Sequence, residues 1–238
     1  LALKVATLYY RDGWNQSDIA TELNISRATV SRLLQFGRDR GLVTIKIHNP
    51  VAPLHQLEVD LLAKYPSLHK IIIVPGTDDP LEEVGAAGAK YIEQVVEDKD
   101  IIGLGWGKTV YQVGLHLKPK DVTDITVVQM KGSMANTNTR NYAFETVNIF
   151  ANAFNTVPQY LPLPVIFDHA KTRELVANDT HIKHIMKLGE QSSIAVFTVG
   201  TVRDSALLFK LGYFTKQEQL TLQHEAVGDV FSRFIDSK

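Results

Sequence analysis

Lys131 has the most chemistry-laden surroundings in the chain. It follows the apolar run Ile125 to Met130 and precedes Gly132 and Ser133, with Asn136 and Asn138 just beyond. Such a run reads as a strand of a parallel sheet, and loops leaving the carboxyl edge of an open α/β sheet are where ligands sit. A lysine at that edge pairs with a phosphate or, where burial lowers its pKa, attacks a sugar aldehyde to form a Schiff base. A loop lysine in solvent is the plainer alternative. The stretch Gly103-Leu104-Gly105-Trp106-Gly107-Lys108-Thr109 also leaves a predicted strand and opens a helix. Glycines there let backbone N–H groups approach an anion, the helix start supplies positive potential, and Thr109 adds a hydroxyl. Its G-x-G-x-G spacing is neither the dinucleotide fingerprint nor a Walker A loop, and a tight turn that merely needs glycine is the other reading. A third loop, Gly200 to Ser205, offers Thr201 and Arg203 as phosphate donors, and Asp204 as an acceptor for a sugar hydroxyl or a helix cap. Three strand-end loops converging on one crevice suit a small phosphorylated ligand. Gly228-Asp229 is a candidate further wall, and Glu145, in a predicted helix, either orients Lys131 or faces water.

Other chemistries lack a foothold. The chain has no cysteine, which excludes disulfides and thiolate sites. His169, His181 and His184 stand in no HExxH pair or carboxylate cluster at ligand spacing, and no serine sits in a G-x-S-x-G elbow. No catalytic residue, metal or cofactor is therefore expected. Trp14 and Trp106 read as packing aromatics.

A second constellation occupies residues 15 to 35, NQSDIATELNISRATVSRLLQ. Ile19, Ala20 and Leu23 form the buried face of one short helix, and Val30, Leu33 and Leu34 that of the next. Asn24 and Ile25 fill the tight connection, and Ser26 stands where an N-cap hydroxyl satisfies open N–H groups. This is the spacing of a helix-turn-helix reader of double-stranded DNA, with the second helix in the major groove. Arg27, Thr29, Ser31 and Arg32, with Ser26, form its expected DNA surface, and Gln16 is expected to touch the backbone near the first helix.

These residues need scaffolds. Leu3 to Tyr10 has helical periodicity and packs behind the reader, until Gly13 breaks the pattern. Leu42 to Ile47 alternates and predicts a short strand, making the unit winged. Residues 54 to 64 return to helical periodicity as a linker helix that could pair with its copy in a second subunit. From Lys70 the order is KIIIVP, LEEVGAAGAKYIEQVVE, DIIGLGWG, TVYQVGLHL and ITVVQMKG, a βαβαβ series with near-continuous apolar strands. Tyr142 to Phe154 and Asp179 to Leu188 read as helices, Pro158 to Pro164 as a bent extended stretch, and SSIAVFTVG at 192 to 200 as another buried strand. Beyond GDVFSRFID no closing strand and helix are evident, so the effector domain is expected either to continue or to be covered there by a partner.

The predicted domains are therefore 1–53, DNA-binding, and 54–238, a linker helix with an effector-binding and oligomerisation domain that either continues past its C-terminus or is covered there. At 238 residues with 45% apolar composition, two such units are affordable. Residues 1 to 49 hold seven Lys and Arg against four Asp and Glu, which leaves the remainder at −4 within an overall −1. A basic footprint confined to the reader suits local phosphate contacts. No apolar run reaches about 18 residues and the first residues lack a secretory pattern, so a cytoplasmic protein without membrane contact is expected.

Several long strings in one order, LNISRATVSRLLQ, GLGWGKT, VVQMKG, QYLPLPVIFD, FTVGTVRD and VGDVFSRFID, resemble the SorC family of sugar-responsive bacterial transcription regulators, over essentially the whole chain. The resemblance implies a helix-turn-helix domain joined to an effector domain similar to sugar-phosphate isomerases, assembled as dimers or tetramers. It implies a repressor of a catabolic operon, released by a phosphorylated sugar. The nearest strings belong to members that govern deoxynucleoside use, which points to deoxyribose 5-phosphate. Carried onto this chain, the effector pocket would use Gly105, Gly107, Lys108, Thr109, Lys131, Asn136, Thr201, Arg203 and Asp204. An isomerase-like or aldolase-like enzyme with an added DNA-binding domain is the alternative; it would have to draw its acid or base from Glu145 and Asp204.

Overall fold

The computed structural model describes residues 1–45, 52–76, 78–134, 138 and 140–237. The chain divides into two compact units, Leu1–Pro53 and Leu54–Lys238.

The first unit is helical. Helix α1 (Ala2–Ala6) runs on as a π-helical turn over Thr7–Arg11, and Gly13 at φ +76° ends it. Helix α2 (Gln16–Glu22) is capped by Asn15, whose side-chain oxygen accepts from the N–H groups of Ser17 and Asp18. Asn24, at φ +51°, turns the chain into α3 (Arg27–Asp39). Val5, Ala6, Ile19, Ala20, Val30 and Leu34 interlock as the core, so each helix stabilises the other two through its apolar stripe. The expected wing strand is not found in its described part: Leu42 to Ile45 is irregular, and Lys46 and Ile47 lie outside the described residues. A strand exists only through a ladder, and the described part of this unit is helix and turn with no strand to pair with.

The second unit opens with α4 (Ala52–Lys64). The run KIIIVP is extended but forms no strand; the Ile73 N–H is instead bound by the Glu58 carboxylate at 2.7 Å, which holds that acid below its usual pKa range. The expected leading strand is thus an apolar segment without a ladder partner among the described residues. Then follow α5 (Pro80–Val95), β1 (Ile101–Leu104), α6 (Lys108–His116), β2 (Thr126–Gln129), α7 (Ala143–Ala153) and β3 (Pro158–Gln159). After them come α8 (Ala170–Ala177), α9 (Thr180–Glu190), β4 (Ile194–Val196), β5 (Val199–Gly200), α10 (Leu207–Lys210), α11 (Lys216–Glu225), β6 (Ala226–Val230) and β7 (Arg233–Asp236).

The main sheet is parallel, in the order β3-β2-β1-β4. Helices cover both faces: Ala89, Ile92, Val110, Val113, Val147 and Phe150 pack on one, Ile182 and Ile185 on the other. Both faces being dry explains why β1 and β2 read as unbroken apolar runs. Strand order reverses between β1 and β4, and that reversal opens a crevice beyond their carboxyl ends. The run 192 to 200 is not one buried strand. It breaks after Val196, and Val199–Gly200 joins a small antiparallel sheet, β5-β6-β7, with Val199 exposed. The motif GDVFSRFID itself forms most of the β6–β7 hairpin, turned by Phe231 and Ser232, both at positive φ.

Candidate effector crevice and DNA-reading face

The crevice holds a cavity of about 580 Å³ walled by Trp106 to Thr109, Lys131, Arg140, Thr198 to Thr201, Ser205, Asp229 and Ser232, among others. Its floor starts at β1. Gly107 has φ +144°, a conformation closed to side chains, and it lets α6 begin with no side-chain cap. The first N–H groups of α6 therefore stand at the cavity beside Lys108 and Thr109, an arrangement that favours an anion.

Lys131 leaves β2 half-buried. Its Nζ lies 3.8 Å from the centre of the Trp106 ring and 3.3 Å from the Ser232 hydroxyl. Burial pushes the amine down to about 8, against the opposing pull of Asp229. At neutral pH roughly a tenth of it is then free base, against a few parts in ten thousand for an ordinary lysine. Its surroundings are fixed from behind. Trp106, almost fully buried, donates its indole N–H to the Gly132 carbonyl at 3.0 Å, and the buried Gln129 amide donates to the Lys131 carbonyl at 2.6 Å. The Asp229 carboxylate accepts from the Ser232 N–H at 3.1 Å and presses so close to Gly200 that a Cβ there would lie 1.8 Å from it. A second chamber of about 560 Å³, lined by Met130, Leu163, Phe167 and Met186 with Arg173, shares Lys131 and Ser232 with the first.

The structure brings together Gly107, Lys108, Thr109, Lys131 and Thr201 of the expected pocket. Gly105 is not a wall. It is buried, donates its N–H to the Val196 carbonyl at 2.8 Å and joins the ends of β1 and β4. Arg203 and Asp204 do not line the cavity either. Asp204 accepts from Gln223 at 2.9 Å and Lys216 at 3.4 Å, contacts that lower its pKa and tie its loop to α11, while Arg203 is exposed. Asn136 lies outside the described residues. Glu145 does not orient Lys131; it pairs with Arg140 at 2.9 Å. Sequence reading did not find Arg140, Thr198 and Ser232, reached Ser205 only as the end of the third loop, and took Trp106 for packing alone. Only the adjacency of Trp106 to the glycine loop signalled its place.

In the first unit Arg27, Ser31 and Arg32 are exposed along α3. Ser26 and Thr29 are partly committed: the Ser26 oxygen accepts from the Thr29 N–H at 3.0 Å, and the two hydroxyls lie 2.8 Å apart. Gln16 and Arg27 meet at one hollow of about 480 Å³ with Tyr9, Asn15, Ser17 and Asp18.

A helix-turn-helix unit followed in the same chain by a doubly wound α/β unit with an anion-favouring crevice defines a ligand-responsive DNA-binding regulator. Residues 49–238 match the family model described as "Putative sugar-binding domain", and the chain belongs to that family of SorC-like transcription regulators. It is 44% identical over its whole length to the deoxyribonucleoside regulator of Bacillus subtilis (strain 168), spanning 77% of that protein. It is 30% identical to the sorbitol operon regulator of Klebsiella pneumoniae, over 99% of this chain and 77% of the other. The crystal structure of the full-length sorbitol operon regulator SorC from the same organism superposes with a TM-score of 0.71 at 25% identity, covering 99% of this chain and 78% of that one. These are regulators, and this chain is a transcriptional regulator rather than an enzyme. No helix among the described residues is long and apolar enough to cross a membrane, and no cluster among them is arranged to hold a metal ion.

Proposed function

We propose that the protein is a cytoplasmic repressor of a deoxynucleoside or sugar catabolic operon, released from its operator by deoxyribose 5-phosphate held as a Schiff base on Lys131. The single observation that carries this reading is a lysine poised at about 8 in the same cavity as an uncapped helix start. The phosphate sits against the α6 N–H groups, Lys108 and Thr109, and the aldehyde then faces Lys131. The free amine adds to the aldehyde carbon, the carbinolamine loses its oxygen as water, and the imine remains. The name of the Bacillus regulator, 44% identical, supports the deoxynucleoside assignment. Residues 1–53 serve as the reader, with Gln16, Ser26, Arg27, Thr29, Ser31 and Arg32 at the DNA, and residues 54–238 bind effector and join subunits into a dimer or tetramer. Asn136 is retained as an effector contact through the resemblance.

Borohydride added with deoxyribose 5-phosphate should fix the sugar to Lys131, located by peptide mass. Lys131→Ala should bind operator normally but resist release. Equal release of wild type and Lys131→Ala at equal sugar concentration removes the covalent step, and failure of every sugar phosphate to raise thermal stability removes the effector site.

A further inference from the structure

Arg140 reaches the effector cavity from the far end of the loop that follows β2, and its surroundings are built rather than incidental. Its guanidinium lies 4.6 Å from the ring centre of Tyr142 and 5.5 Å from that of Tyr111, two aromatics that themselves pack 4.9 Å apart. Tyr111 stands in the first turns of α6, and Tyr142 immediately precedes α7 in a left-handed conformation, φ +65°. Asn141 fixes this junction: its amide donates to the Ser133 carbonyl at 2.5 Å and its oxygen accepts from the Ala143 N–H at 3.0 Å. The strained residue and the amide strut together hold a cation at the wall that carries Lys131. Its counter-ion is Glu145, in the first turn of α7, which accepts from the Arg140 Nε at 2.9 Å. Glu145 is not among the cavity walls, whereas Arg140 is. The pair is solvent-exposed on both sides, so it is weak and easily exchanged.

We propose that Arg140 is a specificity-determining residue that selects phosphorylated over unphosphorylated sugars by ion-pair exchange. Glu145 occupies the guanidinium while the cavity is empty, and the dianionic phosphate of the effector displaces it. The guanidinium fork suits phosphate better than it suits one carboxylate oxygen, because three phosphate oxygens can take paired N–H donors. Glu145 thereby acts as an internal competitor that an anionic ligand must displace, whereas a neutral sugar, which does not engage the guanidinium, is indifferent to it. This inference rests on the effector reading above, and deepens it by naming what discriminates the ligand class.

The test titrates the full chain by calorimetry with deoxyribose 5-phosphate, 2-deoxyribose and inorganic phosphate. Glu145→Gln should tighten deoxyribose 5-phosphate by about threefold to fivefold, the scale of an exposed pair, and leave 2-deoxyribose unchanged. Arg140→Gln should weaken the phosphorylated sugar about tenfold or more, again with 2-deoxyribose unchanged. Both side chains are on the surface, and an unaltered unfolding temperature checks that each variant folds. Unchanged or weakened phosphate-sugar binding in Glu145→Gln overturns the exchange, as does unchanged binding in Arg140→Gln. If the wild type binds inorganic phosphate but no phosphorylated sugar, the effector assignment fails while the exchange is still read from the phosphate affinities of the two variants. If it binds neither, both fail.

Discussion

The two units place their chemistry in opposite ways. The reader displays Arg27, Ser31 and Arg32 within six residues of one helix, exposed and backed by a core contributed by three neighbouring helices. The crevice gathers Gly107, Lys131, Arg140, Gly200, Asp229 and Ser232 from loops up to 125 residues apart, and sets two of them on unusual backbone: Gly107 at φ +144° and Ser232 at +61°. A surface that meets a long regular polymer can be made from a rigid repeat. A pocket for one small anion must instead converge, and its strain is the local cost of convergence. The difference predicts that changes to the exposed arginines of the first unit act on affinity alone, whereas backbone changes in the second act on stability as well.

The largest effect should come from removing the reader's cations. Arg27→Ala and Arg32→Ala should each weaken operator binding by about 10-fold to 100-fold, the 1–3 kcal/mol range of a base-reading arginine. The double variant should approach salt-dependent nonspecific binding, with effector affinity unchanged in a titration at fixed salt. If effector affinity falls too, the units are not separable in function.

Lys131 sharpens the other half of the comparison. Trapping of deoxyribose 5-phosphate by borohydride should quicken about tenfold per pH unit up to about 8 and level off above, following the free amine. A rate still climbing at pH 10 would place the amine in the ordinary range. The linked sign is definite as well. The folded chain holds this proton less tightly than the unfolded chain, so the burial penalty is present in full below about 8 and is relieved as pH rises from there toward the ordinary lysine range. Denaturation should show that gain, and Lys131→Met should abolish it.

A backbone test is next in size. Gly200→Ala forces a methyl against the Asp229 carboxylate and should destabilise the second unit by about 1–3 kcal/mol, loosening the hairpin that presents Ser232. Operator binding by the reader should persist below the new transition, and a coincident loss would join what the comparison separates. Ser26→Ala, smallest of the four, should lower stability by about 1 kcal/mol through the lost cap on Thr29, measured by chemical denaturation.

Legibility in the sequence followed the same divide. The helix-turn-helix was readable because its apolar spacing, its Ser26 cap and its exposed arginines all lie within one local pattern. Strands β1 and β2 were readable because burial on both faces leaves an unbroken apolar run. KIIIVP carries the same signature and is no strand; none of its residues is buried and Ile72 is 43% exposed, so apolarity alone reports neither burial nor a ladder partner. The break after Val196 was hidden because β5 pairs with β6, some thirty residues on. Asp204 looked like a pocket residue until Lys216 and Gln223 claimed it, and Arg140 had no signal because its two tyrosines come from separate elements, Tyr111 from α6 and Tyr142 from the residue before α7. The glycine loop and Lys131 emerged from sequence since both follow β strands directly; what faces them depends on distant folds of the chain.

The chain contains only two tryptophans, and they fall one to each unit. Trp14 is 39% exposed, while Trp106 is 4% exposed and carries the Lys131 ammonium over its ring. Their emission should therefore be resolvable by wavelength, with the wetter indole at the red end and the dry one at the blue. Any event that removes the charge above Trp106 alters the excited state of that indole alone. The molecule thus carries two optical channels, one for each unit, and a stopped-flow trace at two wavelengths would time ligand capture against the response of the reader without any added label.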